Sequence, residues 1–361
     1  MSKNEIIIID DNLSGEVIGT TNVGVSPAAM AITSDSKNLY VANSNNYSID
    51  GSDTVTLVDA KNFMPLETIA DESFNQPFGL TLSKNEKKLY VLNSNSTTIS
   101  VINTDTNKVM NVIDGFNGPS AMVITPNGST GYVINYGAIS TRPSGEGNTV
   151  SVVDLDNEVI TKRIQLHPYG VFPAAPASIA ITPNGDSIYV ANYVTGNPDT
   201  GTVLQISTNT NEIVNEIKGF FGPFSIEIDA KGKNAYITNF GSNNFAPYGT
   251  TVSVLNLESN TIKEISTSGI QPSGFAITKD GKYGLVSNYN TLYRDGAPSF
   301  TGLTAGQGTV NVIDLATNKL YAKTINVGQA PGAISISPDG THAFVSNYIG
   351  NTISVIKIYQ D

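Results

Sequence analysis

The chain has no cysteine in its 361 residues, so disulfides, thiolate metal sites and cysteine nucleophiles are excluded. Histidine is almost as scarce, with His167 and His342 the only two. One histidine without a fixed partner builds neither a Ser-His-Asp triad nor a three-histidine metal centre. No stretch approaches the about 18 apolar residues of a membrane-spanning helix. The longest aliphatic run, Ile6–Ile9, is strand-sized, and no membrane insertion is expected. Basic residues are outnumbered, 20 against 31 acidic ones, for a net charge of −11. Phosphate-backbone affinity comes mainly from Lys and Arg displacing counterions, so a nucleic-acid partner is disfavoured. Met1 to Glu5 shows neither the basic nor the apolar region of a secretory signal.

What the chain does have is turn chemistry and a repeat. Gly, Asn, Ser and Thr are abundant, with 33 Gly, and charged residues make up only 14%. That balance suits short strands joined by tight turns, because Gly and Asn reach the positive φ values such turns need. An Asn follows a Pro by 16 residues seven times over. The pairs are Pro27 and Asn43, Pro77 and Asn93, Pro119 and Asn135, Pro176 and Asn192, Pro223 and Asn239, Pro272 and Asn288, and Pro331 and Asn347. Successive asparagines lie 50, 42, 57, 47, 49 and 59 residues apart, a period that fits one four-stranded unit.

Within each unit the third and fifth residues after the proline are apolar, as in Met30 and Ile32 or Ile179 and Ile181. Alternation with a period of two is a strand, here with its apolar side turned to a neighbouring unit. The residue between them is mostly small: Ala31, Thr81, Val123, Ala180, Ala276 and Ser335. Small side chains suit the innermost strand of a ring, where space is narrowest. A second strand ends in the asparagine, reading Tyr40-Val41-Ala42-Asn43, Tyr90-Val91-Leu92-Asn93, Tyr189-Val190-Ala191-Asn192 and Tyr236-Ile237-Thr238-Asn239.

On these tetrapeptides the chain resembles the YVTN β-propellers of the surface-layer type over essentially its whole length. Leu285 and Phe344 depart from the pattern at the tyrosine position. The resemblance implies an all-β, seven-bladed propeller of four-stranded antiparallel blades, and a protein working outside the cytoplasm. Similar propellers include lactonases, but no catalytic motif of theirs is present to carry over.

The whole chain, 1–361, is read as a single propeller domain, with blade-defining hairpins near 27–43, 77–93, 119–135, 176–192, 223–239, 272–288 and 331–347. It ends on a third strand, Asn351 to Ile358, with no fourth to follow. An N-terminal strand at 16–21, within residues 1–22, is therefore expected to complete the last blade, since an open edge invites mispairing. Ile6–Ile9 is left as a candidate fifth outer strand.

Long insertions follow the asparagines, between second and third strands, on the face that also carries the connections between blades. Insertions gathered on one face commonly build a binding surface. Directly after the asparagine, blades 3 to 7 carry Tyr136, Tyr193, Phe240, Tyr289 and Tyr348, where blades 1 and 2 carry Ser44 and Ser94. Such rings either stack a ligand or pack beneath their own loops. Phe220, Phe221 and Phe224 stand on the same rim. Arg142 and Arg294 fall in the two longest insertions, where a guanidinium suits a carboxylate or phosphate or a local ion pair.

Glu227 breaks the series of small residues on the innermost strands, and Asp229 follows it. A carboxylate there needs a partner, a cation, a proton or channel water. Glu227 and His167 are the candidates for catalysis. The leading expectation is a monomeric, non-catalytic binding propeller for a protein, glycan or other ligand, without cofactor or metal. A hydrolase of lactonase type comes second, and nucleic-acid binding third.

Overall fold

The computed structural model describes residues 13–45, 53–137, 147–166, 175–193, 201–241, 247–293 and 303–359. Seven four-stranded antiparallel sheets form the blades. Their first strands are Pro27–Ile32, Pro77–Leu82, Pro119–Ile124, Ala175–Ile181, Pro223–Ile228, Pro272–Ile277 and Pro331–Ile336. Each packs against the first strand of the next blade, and the seventh packs against the first, so these strands are the inner wall of a closed ring. A further hairpin, Thr291–Tyr293 with Leu303–Ala305, stands on the insertion of blade 6. Among the described residues there is no helix, and so none long and apolar enough to cross a membrane.

The proline-to-asparagine interval is the register of the inner hairpin. In all seven blades the proline stands directly opposite its asparagine in the ladder. Proline is tolerated at the start of a strand, where its missing N–H interrupts little pairing. The residues three and five beyond it face the preceding blade: Met30, Leu39 and Val41 pack with Phe344, Ile353 and Val355 of blade 7. The tyrosine faces the following blade, as Tyr40 does among Leu89, Val91 and Ile102 of blade 2. Burying such side chains stabilises by about 1.5–3 kcal/mol each. In blades 1 and 3 the tyrosine hydroxyl donates to an asparagine in the neighbouring blade's outer turn, Tyr40 to Asn107 at 3.2 Å and Tyr132 to Asn211 at 2.8 Å. An apolar seam thus ends in a polar tie.

The asparagines are structural in a way the sequence reading missed. All seven are at most 1% exposed. In five blades the side-chain amide donates to two hydroxyls at alternate positions facing it, as from Asn43 to Thr54 and Thr56, Asn135 to Thr149 and Ser151, and Asn347 to Thr352 and Ser354; Asn288 instead donates to Thr309 and the Asn311 amide oxygen, and Asn192 to Thr202. The carbonyl oxygens of Asn93 and Asn135 also bond loop backbone, accepting from the N–H groups of Asn75 and Asn117.

Closure follows the expectation. Leu13–Asn22 lies antiparallel to the C-terminal strand Thr352–Tyr359, with Thr20 opposite Ser354 and Asn22 opposite Thr352, and becomes the fourth strand of blade 7. Ile6–Ile9 lies outside the described residues.

Candidate functional site

The candidate site is the mouth of the channel on the face that carries the long insertions. The first residue after the asparagine is placed there by a repeated hydrogen bond. The N–H groups of Tyr136, Phe240, Tyr289 and Tyr348 donate to the carbonyls of Gly118, Gly222, Gln271 and Ala330, each the residue before the repeat proline of the same blade. Those acceptors all have positive φ, between 52° and 61°, which turns the carbonyl toward the loop. Blade 4 differs, pairing Tyr193 with Ala175 inside the ladder.

The arc is not uniform. Tyr193, Phe224, Phe240 and Tyr289 form one contiguous set of rings across blades 4, 5 and 6. Phe224 and Phe240 centroids are 5.0 Å apart, Phe240 and Tyr289 5.8 Å, and Tyr193 lies 6.4 Å from Phe224 and 6.5 Å from Phe240. Within it Tyr193 and Phe240 are buried, while Phe224 and Tyr289 are half-buried. Tyr348 is also buried, its hydroxyl 3.4 Å from that of Ser44 across the junction of blades 7 and 1. Tyr136, by contrast, is 41% exposed. Phe220 is fully buried and Phe221 half-buried. Arg142, Arg294 and His167 lie outside the described residues, so their relation to these rings is not part of the geometry.

Glu227 is on the innermost strand of blade 5, opposite Tyr236 in the ladder. Its side chain keeps exposed surface, yet the inner strands of blades 4 and 6 flank it. The carboxylate is thus open to solvent while protein flanks it on both sides. Loss of bulk solvation in that enclosure raises its pKa to about 7. No described residue donates a hydrogen bond to it or pairs with it.

Asp229 has a separate, structural role. In the other six blades a Thr or Ser hydroxyl at this position accepts the N–H five residues on, as Thr33 does from Asn38 and Ser337 from His342. Asp229 accepts from the Asn234 N–H at 3.0 Å and also from those of Lys231 and Lys233. His342, in the equivalent turn of blade 7, lies against Phe63 with ring centroids 5.2 Å apart.

On the opposite face a polar cleft of about 360 Å³ opens between blades 3 and 4, lined by residues including Thr130, Tyr132, Asn184 and Asp186. Among the described residues, no group of three or more Asp, Glu or His is placed to hold a metal ion.

No protein-family model matches the chain, and no curated protein matches it. Among solved structures, a chain of hydrazine synthase from Kuenenia stuttgartiensis is similar, with a TM-score of 0.72 over 92% of this chain and 96% of that one. Sequence identity between the two is 19%, so the likeness is one of fold alone, and it agrees with the seven-bladed β-propeller seen here.

Proposed function

We propose that this protein is a YVTN-type propeller that binds a protein or glycan partner on its long-loop face, as a monomer and without catalysing a reaction. The observation that carries this reading is the contiguous set Tyr193, Phe224, Phe240 and Tyr289, spread over three adjacent blades at the base of the insertions. Aromatic side chains supply large contact area at low entropic cost and dominate binding hot spots. Two of the four are half-buried, which leaves ring surface for a ligand to cover. Tyr136, standing exposed in blade 3, extends the same surface; Tyr348, buried in blade 7, belongs to the same arc, and Arg142 and Arg294 belong to its insertions.

The test is a Tyr193→Ala and Tyr289→Ala double variant, titrated calorimetrically against candidate proteins and glycans. Hot-spot aromatics contribute about 2 kcal/mol or more each, so affinity for a genuine partner falls well over tenfold. Unchanged affinity with a lowered melting temperature would mean that the rings serve only as loop foundations.

A second reading rests on Glu227. A channel carboxyl with a pKa near 7 is poised to take or give a proton at neutral pH, as a hydrolase of lactonase type requires. A lactone and ester panel tests it, since activity that survives both Glu227→Gln and His167→Ala removes that site.

A further inference from the structure

Glu227 is the only charged residue on any of the seven innermost strands. The ladder places it beside Tyr236, whose ring stacks on Phe275 of blade 6 at 5.1 Å and fills the space between the two blades. The channel is therefore the open direction for the carboxylate. The strands packed against Pro223–Ile228 are Ala175–Ile181, Ser187–Tyr193, Gly201–Ser207, Asn234–Gly241 and Pro272–Ile277. Their only titratable groups are Tyr189, Tyr193 and Tyr236, and none carries a positive charge at neutral pH. Asp229, at the end of the same strand, is held in its turn by backbone N–H groups.

Three residues before Glu227 on the same strand stands Phe224, part of the aromatic set at the mouth. At ~3.3 Å per residue the two are separated by about 10 Å along the channel. Ring faces carry negative quadrupole density and attract cations, and the carboxylate below has no counter-charge. An anion would meet repulsion there, and a neutral ligand would leave the carboxylate unmatched. A calcium ion needs six to eight oxygen ligands, whereas the neighbouring inner strands offer a single carboxylate. An organic cation on an extended chain satisfies both features together.

Resting on the reading of the long-loop face as a binding surface, we propose that the channel mouth at blade 5 takes a lysine ammonium or arginine guanidinium of a partner polypeptide, its stem along Phe224 and its charge on Glu227. The class of partner is thus a polypeptide that inserts one basic side chain into the channel.

Calorimetry on the full chain, with N-acetyl-lysine methylamide, N-acetyl-arginine methylamide and the neutral N-acetyl-norleucine methylamide, tests this. The proposal expects one of the two cationic amides to bind at least about tenfold more tightly than the norleucine amide. It also expects Glu227→Gln to abolish that difference while the melting temperature at acidic pH stays unchanged. In the wild type the preference should grow as pH rises through about 7, where the carboxyl ionises, and stay flat in Glu227→Gln. Equal binding of the norleucine amide, indifference to Glu227→Gln, or no binding of either cationic amide overturns it. Spermidine binding tenfold more tightly than both amides also overturns it, because the source would then be a free polyamine. A partner that loses affinity on Tyr193→Ala with Tyr289→Ala yet ignores Glu227→Gln leaves the face reading standing and removes only the cation.

Discussion

Replacing Asn135 with alanine measures what the buried asparagine rungs contribute to the ring. The side chain is 1% exposed, and its amide donates to Thr149 at 2.8 Å and Ser151 at 2.9 Å. Its carbonyl accepts the Asn117 N–H at 3.2 Å, so a single side chain ties the second strand, the third strand and the incoming connection. Each of these three bonds is worth about 1 kcal/mol net. The Ser151 hydroxyl, fully buried, would lose a partner, which costs about 1–3 kcal/mol more. The sum is roughly 4–6 kcal/mol, a large share of the ~5–15 kcal/mol by which folded domains are stable. For a chain of this length we expect the melting temperature to fall by roughly 5–10 °C. Differential scanning calorimetry of Asn135→Ala, Ser151→Ala and the double variant provides the cycle. The two changes share one hydrogen bond, so the double should cost at least about 0.5 kcal/mol less than the sum of the singles. A loss below about 1 kcal/mol for Asn135→Ala, or strict additivity in the cycle, would refute the rung.

Three further outcomes follow from the same geometry. Deleting residues 1–22 removes the fourth strand of blade 7 and bares the edge of Thr352–Tyr359, so the ring should melt at a lower temperature and associate through that edge. An unchanged melting temperature and a monomeric sedimentation profile would contradict the closure. Gly79→Ala should destabilise by about 1–3 kcal/mol, because a methyl at that position would come within 2.4 Å of the Ser120 carbonyl on the adjoining inner strand. Urea titration checks it, and a neutral result would mean the two strands can separate freely. The Glu227 carboxyl is raised in the fold, so its contribution is fully present below the ordinary carboxylate range and is lost as pH rises through about 7. Melting temperatures of wild type and Glu227→Gln should therefore diverge upward in pH, with the variant ahead under alkaline conditions. Parallel pH profiles would place the carboxyl in ordinary solvent.

The recurrence of proline and asparagine could be read without coordinates because it is a local rule. A hairpin with a constant turn places the same two residues opposite each other in every blade, and the spacing survives whatever happens elsewhere. The apolar residues beyond each proline were equally legible, since a period of two assigns them to one face of a strand. The completion of blade 7 by the N-terminal strand followed from counting strands. What escaped the sequence depends on residues far apart in the chain. Thr149 and Ser151 look like ordinary strand residues until the fold turns them toward Asn135. The tyrosine of the repeat is marked as apolar by its position, yet its hydroxyl partner, Asn107 for Tyr40, belongs to another blade. Five aromatic residues share one place in the repeat, but only the packing of consecutive blades brings Tyr193, Phe240 and Tyr289 into one set with Phe224 and leaves Tyr136 exposed. Glu227 stood out in the sequence as a departure from its six equivalents. Its raised pKa was decided by tertiary structure, because the desolvation that disfavours its charge comes from the inner strands of the two adjoining blades, each a whole repeat away in the chain.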